Sequence, residues 1–243
     1  FEIVTGYMEE EILGQNPKKL QSGLHHKEFY QKMWNDIHNH GKWEGEIWNR
    51  RKNGELYPEW ITISSIKDRD GKVRNCVAVF TDISDQRYTE EQLRRLAHYD
   101  SLTGVENRYS LNKRLKNLIN NAKTHNQQFA VLFLDLDHFK QINETLGHSY
   151  GDMLLKEVSL RLQSLIKNKD MIARLGGDEF VIVLSNIRHP KEAVQMAENI
   201  IDHFHQPFCL NEHEVYISAS IGISLYPFDG TKIETLLRNA DKA

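Results

Sequence analysis

The sequence predicts an α+β protein of two domains, each with an antiparallel sheet against which helices pack. Its 243 residues exceed the usual size of one domain. In the first half, a helical pattern precedes three strand-like segments separated by hairpin signals, whereas helices and strands alternate in the second half. We expect residues 1–84 to form the first domain, 85–99 a linker helix and 100–243 the second domain.

The first half begins with a helical pattern. Residues 28–40 carry apolar side chains at the spacing of a helix with one buried face, namely Phe29, Met33, Trp34 and Ile37. The segments GKWEGEIWNRR, ELYPEWITISSIK and KVRNCVAVFTDIS follow. Asn-Gly and Asp-Gly pairs at 53–54 and 70–71 separate these segments, and both pairs favour hairpin turns because their residues tolerate positive φ. We therefore predict a helix followed by a three-stranded antiparallel meander.

A charged segment without Gly or Pro joins the two halves at residues 85–99, which favours a helix. Leu93 and Leu96 can share one seam, but the stretch is too short to establish a coiled coil. The segment is either a solvated linker helix or a helix that carries a signal within a dimer.

The second half alternates between helical and strand periodicity. The predicted elements are helix 108–122, strand 129–135, helix 150–166, a hairpin over 174–184, helix 190–205, strand 215–225 and a last helix with a capping box at 231–234. This order predicts a central, mainly antiparallel sheet with helices packed on it.

Composition argues against several classes of function. Apolar residues make up 40% of the chain and charged residues 27%, as in soluble globular proteins. The net charge is −3, and the lack of a basic excess argues against binding to a nucleic acid polymer. The two cysteines lie far apart, and no long apolar run or signal peptide is visible, which favours a cytoplasmic chain. Because the chain starts at Phe1 and stops in an apparent helix, we expect a fragment, which leaves room for a membrane tether or further domains outside it.

Two pairs of carboxylates form the candidate site. Asp135 and Asp137 end the apolar strand two residues apart, so both are expected on one face at the strand's end. Asp178 and Glu179 occupy the tip of the RLGGDEF hairpin. If the two strands are neighbours, the acidic side chains converge at one edge of the sheet.

Converging carboxylates repel one another unless a cation lies between them. Mg²⁺ suits such a site, because it binds one or two carboxylates together with phosphate oxygens and water. Gly176 and Gly177 lack Cβ atoms, so a phosphate chain can approach the backbone there. The alternative is an exposed acidic turn without a ligand.

Polar residues between the two acidic segments extend the candidate site. Lys140 can reach a phosphate as a point charge, and Asn143 with Asp152 offers groups that suit the edge of guanine. The alternative makes Ser149 the N-cap of the 150–166 helix and Asp152 an acid that stabilises its first turn.

Four ordered motifs in the second half resemble the GGDEF family of diguanylate cyclases. They are DSLTGVENR (100–108), FLDLDHFKQINETLGHSYGD (133–152), RLGGDEF (174–180) and SIGISLYPFDG (220–230). The resemblance covers roughly residues 98–243 and implies a ferredoxin-like palm of the nucleotide-cyclase type. It also implies an enzyme that condenses two GTP molecules, one on each protomer of a homodimer, into cyclic di-GMP with release of pyrophosphate.

The resemblance further implies roles for individual residues. Mg²⁺ or Mn²⁺ would be held by Asp135, the carbonyl of Leu136 and Asp178. Asp178 or Glu179 would assist deprotonation of the attacking 3′-hydroxyl. The residues that would contact the nucleotide are Asn143 and Asp152 at guanine, His148 and Lys140 beside it, and Gly176 and Gly177 at the hairpin.

Three features depart from the family pattern. Val105-Glu106 replaces the usual Leu-Pro, which we expect to alter packing only. The product-inhibition motif RxxD appears as Lys167-x-x-Asp170, and because Lys cannot form bidentate contacts we expect a degenerate inhibitory site. The family's late phosphate-binding Lys and Arg would follow residue 243, so we expect this fragment to be weakly active or inactive.

The first half resembles a PAS sensor domain that lacks its first strands. The likeness lies in VTGYMEEEILGQNPKKLQSG, GEIWNRRKNGELYPEW and VAVFTDIS. Pro17 stands where light-sensing relatives have a flavin-reactive cysteine, which argues against that photochemistry. The sequence leaves the ligand of this domain unknown.

Three functions remain open at this point. The leading hypothesis is a PAS-regulated diguanylate cyclase. The second is a GTP-binding regulatory GGDEF domain that controls an adjoining EAL phosphodiesterase domain in the same chain. The third is a sensor and dimerisation module whose cyclase half is vestigial.

Overall fold

A three-stranded meander organises residues Phe1–Gln92, the first of two structural units. The computed structural model describes residues 1–243. The elements are α1 (Glu2–Thr5), α2 (Glu9–Ile12), a 3₁₀ turn (Pro17–Leu20), α3 (Lys27–His40), β1 (Lys42–Arg50), β2 (Leu56–Lys67), β3 (Val73–Asp82) and the start of α4 (Ser84–His98). The sheet order β1-β2-β3 is antiparallel throughout, as the two hairpin signals predict.

Helix α3 packs on this sheet through part of the predicted apolar face. Met33 and Ile37 are buried, Phe29 is half-buried, and Trp34 is exposed. The prediction that Trp34 faces the core is therefore wrong. Trp34 lies one position after Met33, and the 100° rotation between consecutive helical residues turns it away from the sheet.

A buried polar cluster lies within the first unit. Glu59 is 2% exposed and accepts hydrogen bonds from Asn49 Nδ2 at 2.9 Å and from the Tyr57 hydroxyl at 3.0 Å. Burial raises the pKa of Glu59 to about 6, although both hydrogen bonds oppose this shift. The cluster therefore changes its charge in mildly acidic solution.

The second unit comprises Leu93–Ala243. After α4, its elements are β4 (Glu106–Asn107), α5 (Arg108–His125), β5 (Gln128–Leu136), α6 (Phe139–Leu146), α7 (His148–Leu165), β6 (Met171–Gly176), β7 (Glu179–Ile187), α8 (Lys191–Phe204), β8 (Phe208–Leu210), β9 (His213–Val215), β10 (Ala219–Tyr226) and α9 (Ile233–Lys242). Every helix of the chain is too short or too polar to cross a membrane.

The central sheet of this unit has the strand order β10-β5-β7-β6-β4. Its neighbouring strands are antiparallel except for β4 and β6. Alternate residues of β5 enter different cores: Leu132 packs with residues of α7 and α8, and Val131 packs with residues of α5 and α9. Helices thus cover both faces of the central strands, and the predicted α+β class is confirmed.

Helix α9 makes an unusually close approach to β10. An ideal Cβ at Gly222 would lie 1.8 Å from the carbonyl oxygen of Ala240, so only glycine permits this packing. The Ser224 hydroxyl also donates to the carbonyl oxygen of Leu236 at 2.9 Å. These contacts hold the last turns of α9 against the edge strand.

The structure corrects three predicted elements. The predicted strand 215–225 is interrupted: Val215 ends β9, and β10 begins only at Ala219. Val215 and Ile217 are nonetheless buried, so their alternation reflects packing outside the central sheet. The capping box predicted at Thr231 is also absent, since α9 has Lys232 as its N-cap residue without a side-chain cap.

The third correction concerns the segment between β5 and α7. Helix α6, which the sequence pattern did not reveal, occupies Phe139–Leu146. Helix α7 has Gly147 as its N-cap, so Ser149 is not the cap that one alternative proposed. Asp152 accordingly lies beyond the first turn of α7, where a dipole-stabilising role is weak.

We predict that Glu59→Gln removes part of the pH dependence of stability. An unfolded glutamate ionises near 4.5, whereas Glu59 in the folded protein stays protonated up to about 6. The native state therefore binds more protons across this interval, and Glu59 lowers the free energy of unfolding by about 2 kcal/mol as the pH rises through it. Urea unfolding of both proteins between pH 4 and 7 measures the difference. Glu28→Gln, at an exposed position, is the control, and parallel curves for parent and Glu59→Gln would contradict the prediction.

Candidate functional site

The two acidic segments meet at one end of the central sheet. Strands β5 and β7 are antiparallel neighbours, and Asp135 stands directly opposite Glu179 in their ladder. Asp178 lies in the two-residue turn between β6 and β7, and Glu179 is the first residue of β7. The convergence expected from the sequence is therefore present, and we call Asp135, Asp178 and Glu179 the acidic edge.

Electrostatic repulsion acts within the acidic edge. Burial raises the pKa of Asp135, and the neighbouring Asp178 and Asp137 raise it further. Burial also raises the pKa of Glu179. The positive charge of Arg108 opposes this shift, and the negative charge of Asp135 adds to it. The basic residues Lys140 and Arg174 of the neighbouring segments pair with Glu144 and Asp100 instead. The edge is thus a concentration of negative charge.

The donor atoms at this edge suit a hard divalent cation. Carboxylate oxygens of Asp135 and Asp178 and the peptide carbonyl of Leu136 are the oxygen ligands that Mg²⁺ prefers. No group of three or more His, Cys, Asp or Glu side chains is arranged as a metal cluster in residues 1–243. Two carboxylates and a carbonyl leave coordination positions for phosphate oxygens and water, as is usual for Mg²⁺.

Asp137 does not present free oxygens to this edge. Strand β5 ends at Leu136, and the Asp137 carboxylate accepts hydrogen bonds from the hydroxyls of Ser218 at 2.6 Å and Ser220 at 2.7 Å. The sequence predicts Asp135 and Asp137 on one face, but the strand ends between them. Asp137 is therefore a neighbour of the acidic edge rather than one of its open carboxylates.

The hairpin glycines have backbone conformations that other residues rarely adopt. Gly176 has a φ of 144° and Gly177 a φ of 54°. A Cβ at either position would meet no atom within 4 Å, so the space in front of the turn is open. The φ of Gly176 requires glycine, that of Gly177 favours it, and the open space is compatible with a ligand.

Arg174 fastens the hairpin to the loop that follows α4. Its Nη1 donates to Asp100 Oδ1 at 2.9 Å, while Nε and Nη2 donate to the carbonyl oxygen of Gly177 at 2.9 and 2.7 Å. Burial would raise the pKa of Asp100, but hydrogen bonds from Thr103 and Arg174 lower it below its usual range. The ion pair is therefore charged at neutral pH and holds the turn that carries Asp178.

Helices α6 and α7 bring together the residues expected at guanine. An ideal Cβ at Gly151 would lie 2.0 Å from Asn143 Oδ1, so the Asn143 amide rests on the residue before Asp152. His148 is the exposed first residue of α7. The side chain of Lys140 is 89% exposed and lies 3.6 Å from Glu144, which leaves its ammonium accessible.

Two family models match the chain, one in each half. The model described as "Diguanylate cyclase, GGDEF domain" matches residues 97–243, and a PAS domain model matches residues 1–85. The chain belongs to the GGDEF family. A PAS domain precedes its GGDEF domain, as the motifs in the sequence predict.

Similar proteins carry related names. The chain is 47% identical over 152 residues to the bifunctional diguanylate cyclase/cyclic di-GMP phosphodiesterase MucR of Pseudomonas aeruginosa, covering 63% of this chain and 22% of MucR. It is 38% identical over 179 residues to the cyclic di-GMP phosphodiesterase NbdA of the same species, covering 74% of this chain and 23% of NbdA. The chain thus spans less than a quarter of the length of either relative.

A solved structure shows the same fold. The crystal structure of the GGDEF domain of TpbB from Pseudomonas aeruginosa matches with a TM-score of 0.57 and 39% identity, covering 58% of this chain and 88% of that chain. The cyclase-type palm predicted for the second unit is therefore confirmed.

The predicted inhibitory position of the GGDEF domain lies apart from the acidic edge, in the connection between α7 and β6. Lys167 is exposed there. Asp170 Oδ1 accepts a hydrogen bond from the backbone N–H of Ser185 at 2.9 Å. The Asp170 carboxylate thus has a structural partner, and the degenerate character of this site stays a prediction.

Sequence reasoning missed three contributors to the GGDEF site. Arg174 and Asp100 lie within quoted motifs, but their pairing across 74 positions leaves no local periodicity that reveals it. The electrostatic influence of Arg108 on Glu179 is likewise visible only once α5 is placed against the sheet. An Arg two residues before paired glycines can indicate a residue that holds the turn, because the unsatisfied carbonyls of such a turn favour a guanidinium donor.

We predict that Arg174→Lys loosens the hairpin. Lysine cannot span the Asp100 carboxylate and the Gly177 carbonyl at once, so one partner loses a charged hydrogen bond. We expect the free energy of unfolding to fall by about 1.5–3 kcal/mol and the amides of residues 177–181 to exchange faster with solvent. Hydrogen exchange read by mass spectrometry tests this, with Arg188→Lys as the control. Unchanged hairpin exchange in Arg174→Lys would show that the ion pair does not restrain the turn.

Proposed function

We propose that this chain is the PAS-regulated diguanylate cyclase portion of a signalling protein. It condenses two GTP molecules into cyclic di-GMP and releases pyrophosphate. The observation that carries this proposal is the acidic edge, where Asp135 stands opposite Glu179 and neighbouring carboxylates help to raise the pKa of both. Family membership supports the reaction class.

A divalent cation fits the proposed reaction. Asp135, Asp178 and the carbonyl of Leu136 would hold Mg²⁺ or Mn²⁺ beside the triphosphate. When bound, the cation supplies charge neutralisation at the phosphates. The two carboxylates would otherwise repel an approaching triphosphate, so we expect GTP binding to depend on the metal.

The chain's own residues position the reactants. A carboxylate of Glu179 or Asp178 accepts the proton of the 3′-hydroxyl while that oxygen bonds to the α-phosphorus of the second GTP and pyrophosphate leaves. A second such transfer closes the ring. The open space before Gly176 and Gly177 accommodates the phosphates, and Lys140 adds a positive charge near them.

Guanine is the proposed base. Asn143 and Asp152, brought together by the packing of α6 on α7, offer an amide and a carboxylate to its donor-rich edge. Adenine lacks the donors that a carboxylate requires at that edge. His148 at the start of α7 would flank the nucleotide.

Two copies of the domain are needed in this proposal. Each protomer binds one GTP, and the two reactive ends meet in a homodimer, where PAS-dependent changes in the arrangement of the protomers control turnover. The charge of −3 over the chain gives no reason to add a nucleic acid polymer as a partner.

A regulatory role is the second candidate. MucR and NbdA are both named as cyclic di-GMP phosphodiesterases, and this chain spans only 22% and 23% of their respective lengths. In that case the GGDEF domain binds GTP and controls an adjoining EAL domain. GTP binding without product formation would favour this role.

Asp178→Ala is predicted to abolish turnover while the protein stays folded. The substitution removes a proposed metal ligand from a partly exposed turn, so the core is untouched. Incubation with GTP and Mg²⁺ or Mn²⁺, followed by chromatographic detection of cyclic di-GMP, measures the effect. Asp202→Asn, an exposed acid on α8, controls for the loss of charge. Product formation at the parent rate by Asp178→Ala would refute the metal assignment.

Gly151→Ala is predicted to weaken selection of guanine. The new Cβ would collide with Asn143 Oδ1, the end of a flexible side chain, so Asn143 moves and α7 remains intact. We expect GTP affinity to fall about tenfold, as for the loss of one good hydrogen-bonding partner, with little change for ATP. Calorimetric titration of both nucleotides measures the ratio, and Lys156→Ala on the same helix is the control. An unchanged ratio of GTP to ATP affinity would exclude Asn143 from base recognition.

A further inference from the structure

The turn between β5 and α6 contains a strained residue beside the acidic edge. His138 has a φ of 62°, in the left-handed region that residues with a Cβ rarely occupy. Such a conformation is energetically unfavourable and persists only where surrounding contacts determine it. His138 also provides no side-chain cap for α6, so the restraint must come from elsewhere.

Asp137 provides three hydrogen bonds that hold this turn. Its Oδ2 accepts from the Ser218 hydroxyl at 2.6 Å, and its Oδ1 accepts from the Ser220 hydroxyl at 2.7 Å. Its backbone N–H donates to the Ser218 carbonyl oxygen at 3.0 Å. All three contacts tie one turn residue to the beginning of β10, and we call Asp137, Ser218 and Ser220 the β10 clamp.

The β10 clamp adjoins the acidic edge through the backbone ladder. Ser220 is the ladder partner of Asp135, and Ala219 is the partner of Leu136. Asp137 lies between Leu136 and the strained His138. The clamp therefore fixes the peptide bond that follows Leu136 and also the start of the strained turn. Because both oxygens of Asp137 have hydroxyl donors, the clamp is suited to holding the backbone rather than to binding a cation itself.

We propose that Asp137 is a positioning residue which, through Ser218 and Ser220, orients the Leu136 carbonyl and the start of α6 toward a metal-bound triphosphate. This inference rests on the proposed function, because it concerns the same site. It assigns a role to Ser218, just before β10, and to Ser220 within β10. Neither the motif resemblance nor the geometry of the carboxylates supplies that role. Its physical basis is that outer contacts set the orientation of metal ligands.

The test measures how GTP binding depends on Mg²⁺ in the full chain. Asp137→Ala and the double variant Ser218→Ala/Ser220→Ala each remove both side-chain contacts of the clamp. We expect each to raise the Mg²⁺ concentration for half-maximal GTP binding by about 10- to 100-fold, the usual effect of losing an outer contact at a metal site. Equilibrium dialysis with GTP at graded Mg²⁺ reports binding directly, and cyclic di-GMP formation is followed in parallel.

Two controls separate positioning from general effects. Asp202→Asn removes one negative charge from an exposed site on α8, and Ser164→Ala removes an exposed serine hydroxyl that donates to the Arg161 carbonyl on α7. Neither should change the Mg²⁺ dependence. Thermal unfolding of every variant identifies loss of fold, and Asp137→Asn, which keeps the side chain's size and one carbonyl acceptor, should restore part of the Mg²⁺ affinity.

Coupling between the substitutions decides the outcome. If the clamp acts as a unit, the triple variant should bind no more weakly than Asp137→Ala alone, because the same contacts are already lost. If Asp137 acts only through its charge, the serine double variant will bind like the parent, and the proposal is wrong. If folded Asp137→Ala keeps the parent's Mg²⁺ dependence, the proposal is equally wrong. If the parent itself shows no Mg²⁺-dependent GTP binding, the proposed function fails, and this inference fails with it.

Discussion

Mutual repulsion between carboxylates is the constraint around which the second unit is built. In water, Asp135 and Glu179 would separate, but the ladder between β5 and β7 places them opposite each other. The two strands cannot move apart, since helices cover both of their faces and alternate residues of β5 enter two different cores. The hydrophobic packing of the sheet therefore maintains an electrostatically unfavourable arrangement at its end. In the proposed reaction, a cation beneath a triphosphate would relieve that repulsion, which connects the fold to the proposal.

The contacts around the acidic edge stabilise its backbone and leave its charge in place. Arg174 directs its guanidinium to Asp100 and to the Gly177 carbonyl rather than to Asp178. The hydroxyls of Ser218 and Ser220 likewise donate to Asp137 and not to Asp135. A guanidinium paired with Asp135 or Glu179 would neutralise the site and compete with a divalent ion. The arrangement separates residues that hold the turns from residues left available to a ligand.

Much of this architecture follows from local patterns. The Asn-Gly and Asp-Gly turns predicted the meander, and the apolar run of β5 predicted a central strand buried on both faces. The elements that were predicted wrongly depend on contacts between residues that are distant in sequence. Val215 and Ile217 alternate like a strand, yet they are buried outside the central sheet. Helix α6 has only eight residues between a strained His138 and Gly147, too few for a clear period. The acidic edge was predictable because its residues end strands, whereas the Arg174–Asp100 pair and the clamp serines required the tertiary structure.

The absence of a side chain at Gly222 has a consequence for the charge near the acidic edge. Because no side chain separates β10 from α9, the carbonyl of Ala240 touches the strand, and Asp241 follows at the next position. Asp241 contributes to the raised pKa of both Asp135 and Glu179, although it belongs to neither acidic motif. A methyl group at position 222 would displace the helix and with it a remote source of negative potential. The electrostatic character of the acidic edge is thus set partly by a residue that has no side chain at all.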